Sequence, residues 1–409
     1  MSELRPRGNR RQPEPPVARH GRLRTSGPAV TLLKYVSAAL AVVLVSGASV
    51  VGYAVWDIAS SVKPGVALIG ETIGPPPDIG AIEGGVNLLL VGSDSGQGDP
   101  QYGRRGETLN DVTILLHISA DHTNATVVSF PRDLLVPIPS CPKEDGSGNW
   151  GSQSTNKINV ALAYGGLACV VKTVSDLTGV SIPFAAKIEF NGVIEMSNAI
   201  GGVTVCVATA IDDGQIGLHL PAGQQTLQGW NALMFLRSRY GVNGGTDIAR
   251  ISNQQVFLSA LVRQAKASAT LSDPIKVYGL AKAAVDNMQV SNSLRNPVTL
   301  ASIALAMKDI DPQNIQLVQY PSRFGSSEGL NGVLPIHDAA NVLFAAINND
   351  QPVQLSGTTG PGSTLDPNAT APPVDPSNAP PVEAVTLPGS ITGQNSAQQT
   401  CSEGQDYRP

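Results

Sequence analysis

Two stretches of this chain gather the residue types that stabilise developing negative charge. In NDVTILLHISADHTNATVVSFPRD, residues 110–133, two apolar runs flank a polar turn, with Asp111 at one end and Arg132 and Asp133 at the other. If the runs 111–119 and 125–130 form a hairpin over ADHTN, the start of the first strand lies beside the end of the second, and Asp111 meets Arg132. The run VNLLLVG, 86–92, ends in Ser93 and Asp94. Paired antiparallel to the 111 strand, it delivers Asp94 to the same edge. Two carboxylates and a guanidinium at one end of an apolar sheet can hold a hard divalent cation and grip an oxygen of a metal-bound pyrophosphate. The alternative is that these charges mark strand ends reaching solvent.

The second stretch, MFLRSRYGVNGGTDIARISNQQ, residues 234–255, adds cations. Arg237 and Arg239 are two apart and cannot share a helix face, so at least one lies where a helix gives way to the loop GVNGG. In the following helix Asp247, Arg250 and Gln254 recur at i, i+3 and i+7, a polar stripe opposite Ile251, Leu258 and Val262. A solvated face explains such a stripe by itself. Its place just after a glycine-rich loop flanked by two arginines favours anion binding.

The elements that must position these groups read as a mixed α/β layer fold. Strands are expected at 86–92, 111–119, 125–130, 202–207 and 314–320, short β-branched runs bounded by turns. Helices are expected over NKINVALAYGG, LACVVKTVSDLTG, LQGWNALMFLRSR and DIARISNQQVFLSALVRQAKA, with two more downstream. The folded unit is expected over 81–350. Residues 57–80 read as a spacer, and 351–409, dense in Pro, Gly, Ser and Thr, as a disordered tail.

Ahead of all this, the uncharged run Tyr35–Trp56 is long enough to span a hydrocarbon core, which takes about 20 residues. The basic tail 1–34 precedes it, which places the amino terminus in the cytoplasm and residues 57 onward outside. A cleaved signal peptide is the competing reading. Eight of the 27 basic residues fall in 1–34, leaving an acidic remainder, and only 4% of residues are aromatic. Both facts argue against nucleic-acid binding. The cysteines, Cys141, Cys169, Cys206 and Cys401, lack CxxC spacing, and export favours disulfides over zinc. Cys141 with Cys169 is the expected pair.

Seven fragments, NLLLVGSDS, NDVTILLHIS, VSFPRDLLVPIP, KINVALAYGG, NGVIEMSNAIGGVTVCV, LPAGQQTLQGWNALMFLRSRYG and DIARISNQQ, follow in order after one amino-terminal apolar helix. Together they resemble the LytR-CpsA-Psr family in its actinobacterial style, over about 85–265. That resemblance implies an α/β/α sandwich with a mixed central sheet and a hydrophobic lipid-binding cleft. It implies a membrane-anchored phosphotransferase that moves a glycopolymer from a polyprenyl-pyrophosphate carrier to peptidoglycan and releases polyprenyl phosphate.

Carried over by position, the resemblance puts the metal, Mg²⁺ or another divalent cation such as Mn²⁺, on Asp94 and Asp111. It puts the pyrophosphate on Arg132, Lys157, Arg237, Arg239, Arg250 and Gln254. Arg132, Arg237, Arg239 and Asp247 are its catalytic candidates, Asp247 as a general base. This chain departs from the family pattern at Gly96, Leu109 and Asn253, where arginines are common; Arg104 or Arg105 could supply one missing charge. Two other functions fit the same residues: a polyprenyl-pyrophosphate phosphatase, and a non-catalytic envelope protein that binds lipid-linked precursors.

Overall fold

The computed structural model describes residues 27–61, 64–70, 83–94, 108–267, 283–284, 286–295, 297–369 and 384–405. The chain divides into two compact units, Met1–Val55 and Trp56–Pro409. Helix α1 (Pro28–Ser61) fills the described part of the first unit and runs six residues into the second. Its segment Pro28–Val50 has 23 residues, a mean hydropathy of 2.0 and no burial by protein. That length and composition suffice to cross a membrane. The helix starts before the expected Tyr35 and takes in Lys34, whose long stem can carry its charge toward an interface. A second segment, Ile158–Thr178, passes the same test but is 72% buried; it is a core helix.

The larger unit is built on strands β1 (Val86–Ser93), β2 (Asn110–Ile118) and β3 (Ala125–Phe130), helix α2 (Ala161–Thr178), β4 (Phe184–Ile188) and α3 (Phe190–Ala199). It continues with β5 (Val203–Thr209), β6 (Gly223–Leu227), α4 (Trp230–Arg237), α5 (Asp247–Ala267), β7 (Met288–Val290), α6 (Pro297–Lys308), β8 (Ile315–Gln319) and α7 (His337–Asn348). Among the strands that follow are β9 (Ser363–Leu365), β10 (Gly393–Asn395) and β11 (Thr400–Glu403). The central sheet runs β7-β4-β1-β2-β3-β8-β10. It is mixed: β1 with β2 and β2 with β3 are antiparallel, while β1 with β4 and β3 with β8 are parallel. Parallel pairing needs crossovers that lay helices on the sheet.

Both faces of that sheet are covered, which is why VNLLLVG is apolar without alternation. Leu89, Val91 and Leu115 point into a cluster with α2 and α7. Their neighbours Val86, Leu88 and Ile118 point the other way, toward Ile303 and Ala306 of α6. A third cluster joins β5 and a smaller sheet, ordered β6-β5-β11-β9, to α3, α4 and the middle of α5. The two helices expected over 156–166 and 167–179 do part at Gly165 and Gly166, which have non-helical backbone angles inside α2. Gly166 adopts φ +61, which a side chain disfavours.

Two expectations are corrected. The spacer is not free throughout, since Val66 bridges to Ser291 and Leu68 enters the main core. Nor is the tail structureless: 351–369 and 384–405 are folded, β10 extends the central sheet, and β11 lies parallel to β5. Composition misled because a few apolar residues, Val353, Leu387 and Ile391, reach the main core while buried polar groups of the tail are satisfied by hydrogen bonds. Gln394 Nε2 donates to Gln255 O and to Ser259 Oγ of α5, and Ser402 Oγ donates to Asn253 Oδ1.

Cys141 pairs with Cys169 as expected, and Cys206 with Cys401 across a separation of 195 residues. Cys401→Ser is expected to destabilise the fold by about 2–4 kcal/mol. Truncation after residue 350 should be worse, since it strips the partners from the buried polar face of α5. Thermal melting checks both. An unchanged melting temperature in the truncated chain would refute the bracing role of the tail.

Candidate active site

The ends of β1, β2 and β3 meet at one edge of the central sheet, as the hairpin reading requires. Val112 opposes Gly92 and Asn110 opposes Ser93, which leaves Asp111 as the extra residue of a β-bulge. A bulge lets consecutive side chains face one side, and Asp111 and Val112 both line the same cavity. Gly92 on that wall has no room for more, because a Cβ there would sit 2.9 Å from Val112 Cβ. Just beyond β1, Asp94 is buried; its N–H donates to Leu109 O, and its Oδ1 accepts from Leu109 N at 2.8 Å. The Leu109 backbone thus anchors the first carboxylate where the family pattern has an arginine.

Arg132 follows β3 and lies against Asp111, Nε to Oδ1 2.8 Å. The pair is close without the alignment of a hydrogen bond, so neither atom has a hydrogen-bond partner among the described residues. The Arg132 backbone N–H donates to Asp247 Oδ2 at 2.7 Å. Asp247, the first residue of α5, also holds Arg250 through Oδ1 and Nη2 at 2.6 Å. Arg250 Nη2 in turn donates to Asp111 O. Asp247 and Arg250 are each only 4% exposed, so the polar stripe on α5 is interior rather than solvated. Asp247 is the joint that ties α5 to the ends of β2 and β3.

The amides of α5 serve the end of α4. Asn253 Nδ2 donates to Phe235 O and Gln254 Nε2 to Leu236 O, two carbonyls of the last helical turn that have no partner within the helix. This fixes the point at which Arg237 leaves α4. The Arg237 guanidinium lies 4.4 Å from the ring centroid of Phe190, a favourable cation–π contact. Arg239, two residues on, has its Nε buried with no acceptor among the described residues, as has Arg250 Nε. Buried charged donors without acceptors are costly in a folded protein unless a ligand completes them.

Below these groups lies a cavity of about 420 Å³ between the central sheet and helices α3, α4 and α5. Leu90, Ile114, Ile188, Phe190, Leu236 and Phe257 are among its apolar walls, and Asp111, Glu189, Arg237, Arg250 and Gln254 supply its polar side chains. The open surface of the cavity is almost wholly apolar, which suits a long apolar chain.

Lys157 is 3.2 Å from Asp133 and only part-buried, held by its own carboxylate partner. Arg104, Arg105 and Gly96 fall outside the described residues. The one cluster of three potential metal-ligating side chains among the described residues, Cys206, Asp366 and Cys401, has both sulfurs consumed in a disulfide. A larger groove of about 650 Å³ is lined by Gln, Asn, Thr, Gly and aliphatic residues, with no titratable group among them. Sequence reading missed Glu189, Asn253 as a helix-end partner, and Asp213, which accepts four hydrogen bonds from residues 238–241. No local motif marks any of the three.

The sequence profile of the LytR_cpsA_psr family matches residues 74–345. The chain is 28% identical over 277 residues to the cell wall biosynthesis protein LcpA of Corynebacterium glutamicum, covering 60% of this chain and 51% of that protein. It is 26% identical over 247 residues to the polyisoprenyl-teichoic acid–peptidoglycan teichoic acid transferase TagT of Bacillus subtilis, covering 57% and 68%. Superposition on a LytR-Csp2A-Psr enzyme from Actinomyces oris gives a TM-score of 0.50 at 18% identity, over 70% of this chain and 96% of that one. This last likeness concerns the fold. The chain spans about half the length of the Corynebacterium relative.

Proposed function

This chain belongs to the LytR_cpsA_psr family, and on that premise we propose that it is a membrane-anchored phosphotransferase acting on a polyprenyl-pyrophosphate-linked glycopolymer, with peptidoglycan as acceptor. One observation carries the reading: an apolar cavity whose polar side chains include Asp111, Arg237 and Arg250, beside guanidinium N–H groups that lack acceptors. The prenyl chain fits the walls between sheet and helices. The pyrophosphate falls to Arg132, Arg237, Arg239 and Arg250.

In the reaction an acceptor hydroxyl attacks the phosphorus that bears the glycan. The new phosphoester forms as the bond to polyprenyl phosphate breaks, and the hydroxyl proton passes to solvent water. Charge builds on the bridging and peripheral oxygens, and fixed guanidinium donors stabilise it without reorganising. Arg132 approaches from the sheet edge, Arg237 and Arg250 from the helices. Asp247 is assigned the holding of Arg132 and Arg250 rather than proton abstraction, because its Oδ2 accepts from the Arg132 backbone N–H and its Oδ1 is ion-paired with Arg250. Gln254 fixes the end of α4, and Lys157 is paired with Asp133, next to Arg132 in the chain.

Asp94 and Asp111 fit a hard cation. They are oxygen donors at adjacent strand ends, Asp111 lines the cavity, and a phosphate-bound Mg²⁺ needs only one or two protein carboxylates. Bound there, Mg²⁺ or Mn²⁺ would neutralise pyrophosphate oxygens. The basic segment ahead of α1 sets the catalytic unit outside the membrane; protease added to cells without an outer barrier should then digest the chain beyond 57 and spare an amino-terminal tag.

The deciding assay is product analysis from a polyprenyl-pyrophosphate donor, with and without glycan acceptor, with Mg²⁺ and with chelator. Acceptor-linked phosphoglycan that disappears with chelator is expected. Phosphate release indifferent to acceptor would turn the assignment to a phosphatase.

A further inference from the structure

The loop that carries the arginines after α4 is shaped by one carboxylate outside the site. Asp213 ends a short strand, Ile211–Asp213, is only 2% exposed, and sits in a segment remote in sequence from residues 238–241. Its Oδ2 accepts from Ser238 Oγ at 2.8 Å and from the backbone N–H groups of Arg239, Tyr240 and Gly241 at 3.2, 3.2 and 3.1 Å. Three successive amides pointing at one oxygen make a concave anion nest. The contact is close: a Cβ at position 241 would lie 2.8 Å from Asp213 Cβ.

The other side of the same loop is gripped by the carboxyl-terminal segment. Gln405 N–H donates to Gly241 O and Asn243 N–H to Glu403 O, and Val242 bridges to Gly404. The loop therefore has no freedom to place Arg239 except as Asp213 and residues 403–405 dictate. We propose that Asp213 is a positioning residue, whose carboxylate bends the chain after Arg237 so that Arg237 and Arg239 converge on the pyrophosphate. This rests on the reading of those arginines as pyrophosphate ligands.

The test separates the two ideas. Full-length protein in detergent micelles is titrated with geranylgeranyl pyrophosphate and with geranylgeraniol, which shares the apolar chain and lacks the charge. Wild type should prefer the pyrophosphate. Asp213→Asn, which replaces the anion by an amide and adds two donors, should lose roughly 10- to 100-fold of the pyrophosphate affinity. Geranylgeraniol affinity should stay, while the amides of 239–241 exchange faster with solvent. If that variant does not fold, Asp213→Glu keeps the charge and shifts the loop by one methylene; it should show the same selective loss. Retained pyrophosphate preference in a folded variant overturns the positioning role. Equal affinity of the wild type for both probes overturns the pyrophosphate reading beneath it.

Discussion

Arg132→Ala lowers transfer from a polyprenyl-pyrophosphate donor by roughly 10²- to 10³-fold, the scale seen when one charge-stabilising donor is removed from an active site. Three features make this loss large. The guanidinium lies at the sheet edge beside Asp111, 2.8 Å away, its Nε has no hydrogen-bond acceptor among the described residues, and its backbone is pinned by Asp247. The backbone bond survives the substitution, so the end of β3 should stay in place. Arg132→Lys should recover only part of the activity, because an ammonium lacks the planar fork that binds two phosphate oxygens. Asp111→Ala should fall similarly and lose its response to added Mg²⁺. Full transfer by either alanine variant, with normal melting, would remove the site from this edge of the sheet.

The second large effect is on stability. Arg250→Ala should destabilise the fold by about 3–5 kcal/mol, the scale for breaking a buried ion pair from one side. Asp247 would then keep its burial without its cation, and Asp111 O would lose a donor. A solvated helix face predicts something else, a change within about 0.5 kcal/mol. Denaturant unfolding distinguishes the two. An Arg250→Ala variant as stable as wild type would mean that the Asp247–Arg250 pair contributes nothing to the joint between α5 and the sheet.

Much of this was legible in the chain. The hairpin followed from two apolar runs joined by a short polar turn, because a short connection between neighbouring strands makes them pair antiparallel about the turn. The meeting of Asp111 with Arg132 followed from that pairing. The strand at 86–92 was readable from its short apolar run, with Leu88 and Leu89 serving opposite clusters.

Other features needed the tertiary structure. The stripe Asp247, Arg250 and Gln254 has the pattern of a solvent-facing helix side, yet it is buried. Local pattern reports polarity, and polarity predicts exposure only when no partner is available. Here Asp247 and Arg250 find partners far along the chain, Arg132 and Asp111 at the strand ends, while Gln254 bonds Leu236 O of α4. The tail itself has the composition of a disordered segment because its cohesion with α5 comes from amide and hydroxyl hydrogen bonds and from Cys206–Cys401. The sequence by itself determined strands β1, β2, β3, β5 and β8, the apolar helix at the amino terminus and the charged strand ends, since these follow from local periodicity and short-range pairing. The tertiary structure alone decided the burial of the α5 stripe, the folding of the tail and the grip of Asp213 on the arginine loop, since each depends on donors and acceptors that meet only when distant segments pack.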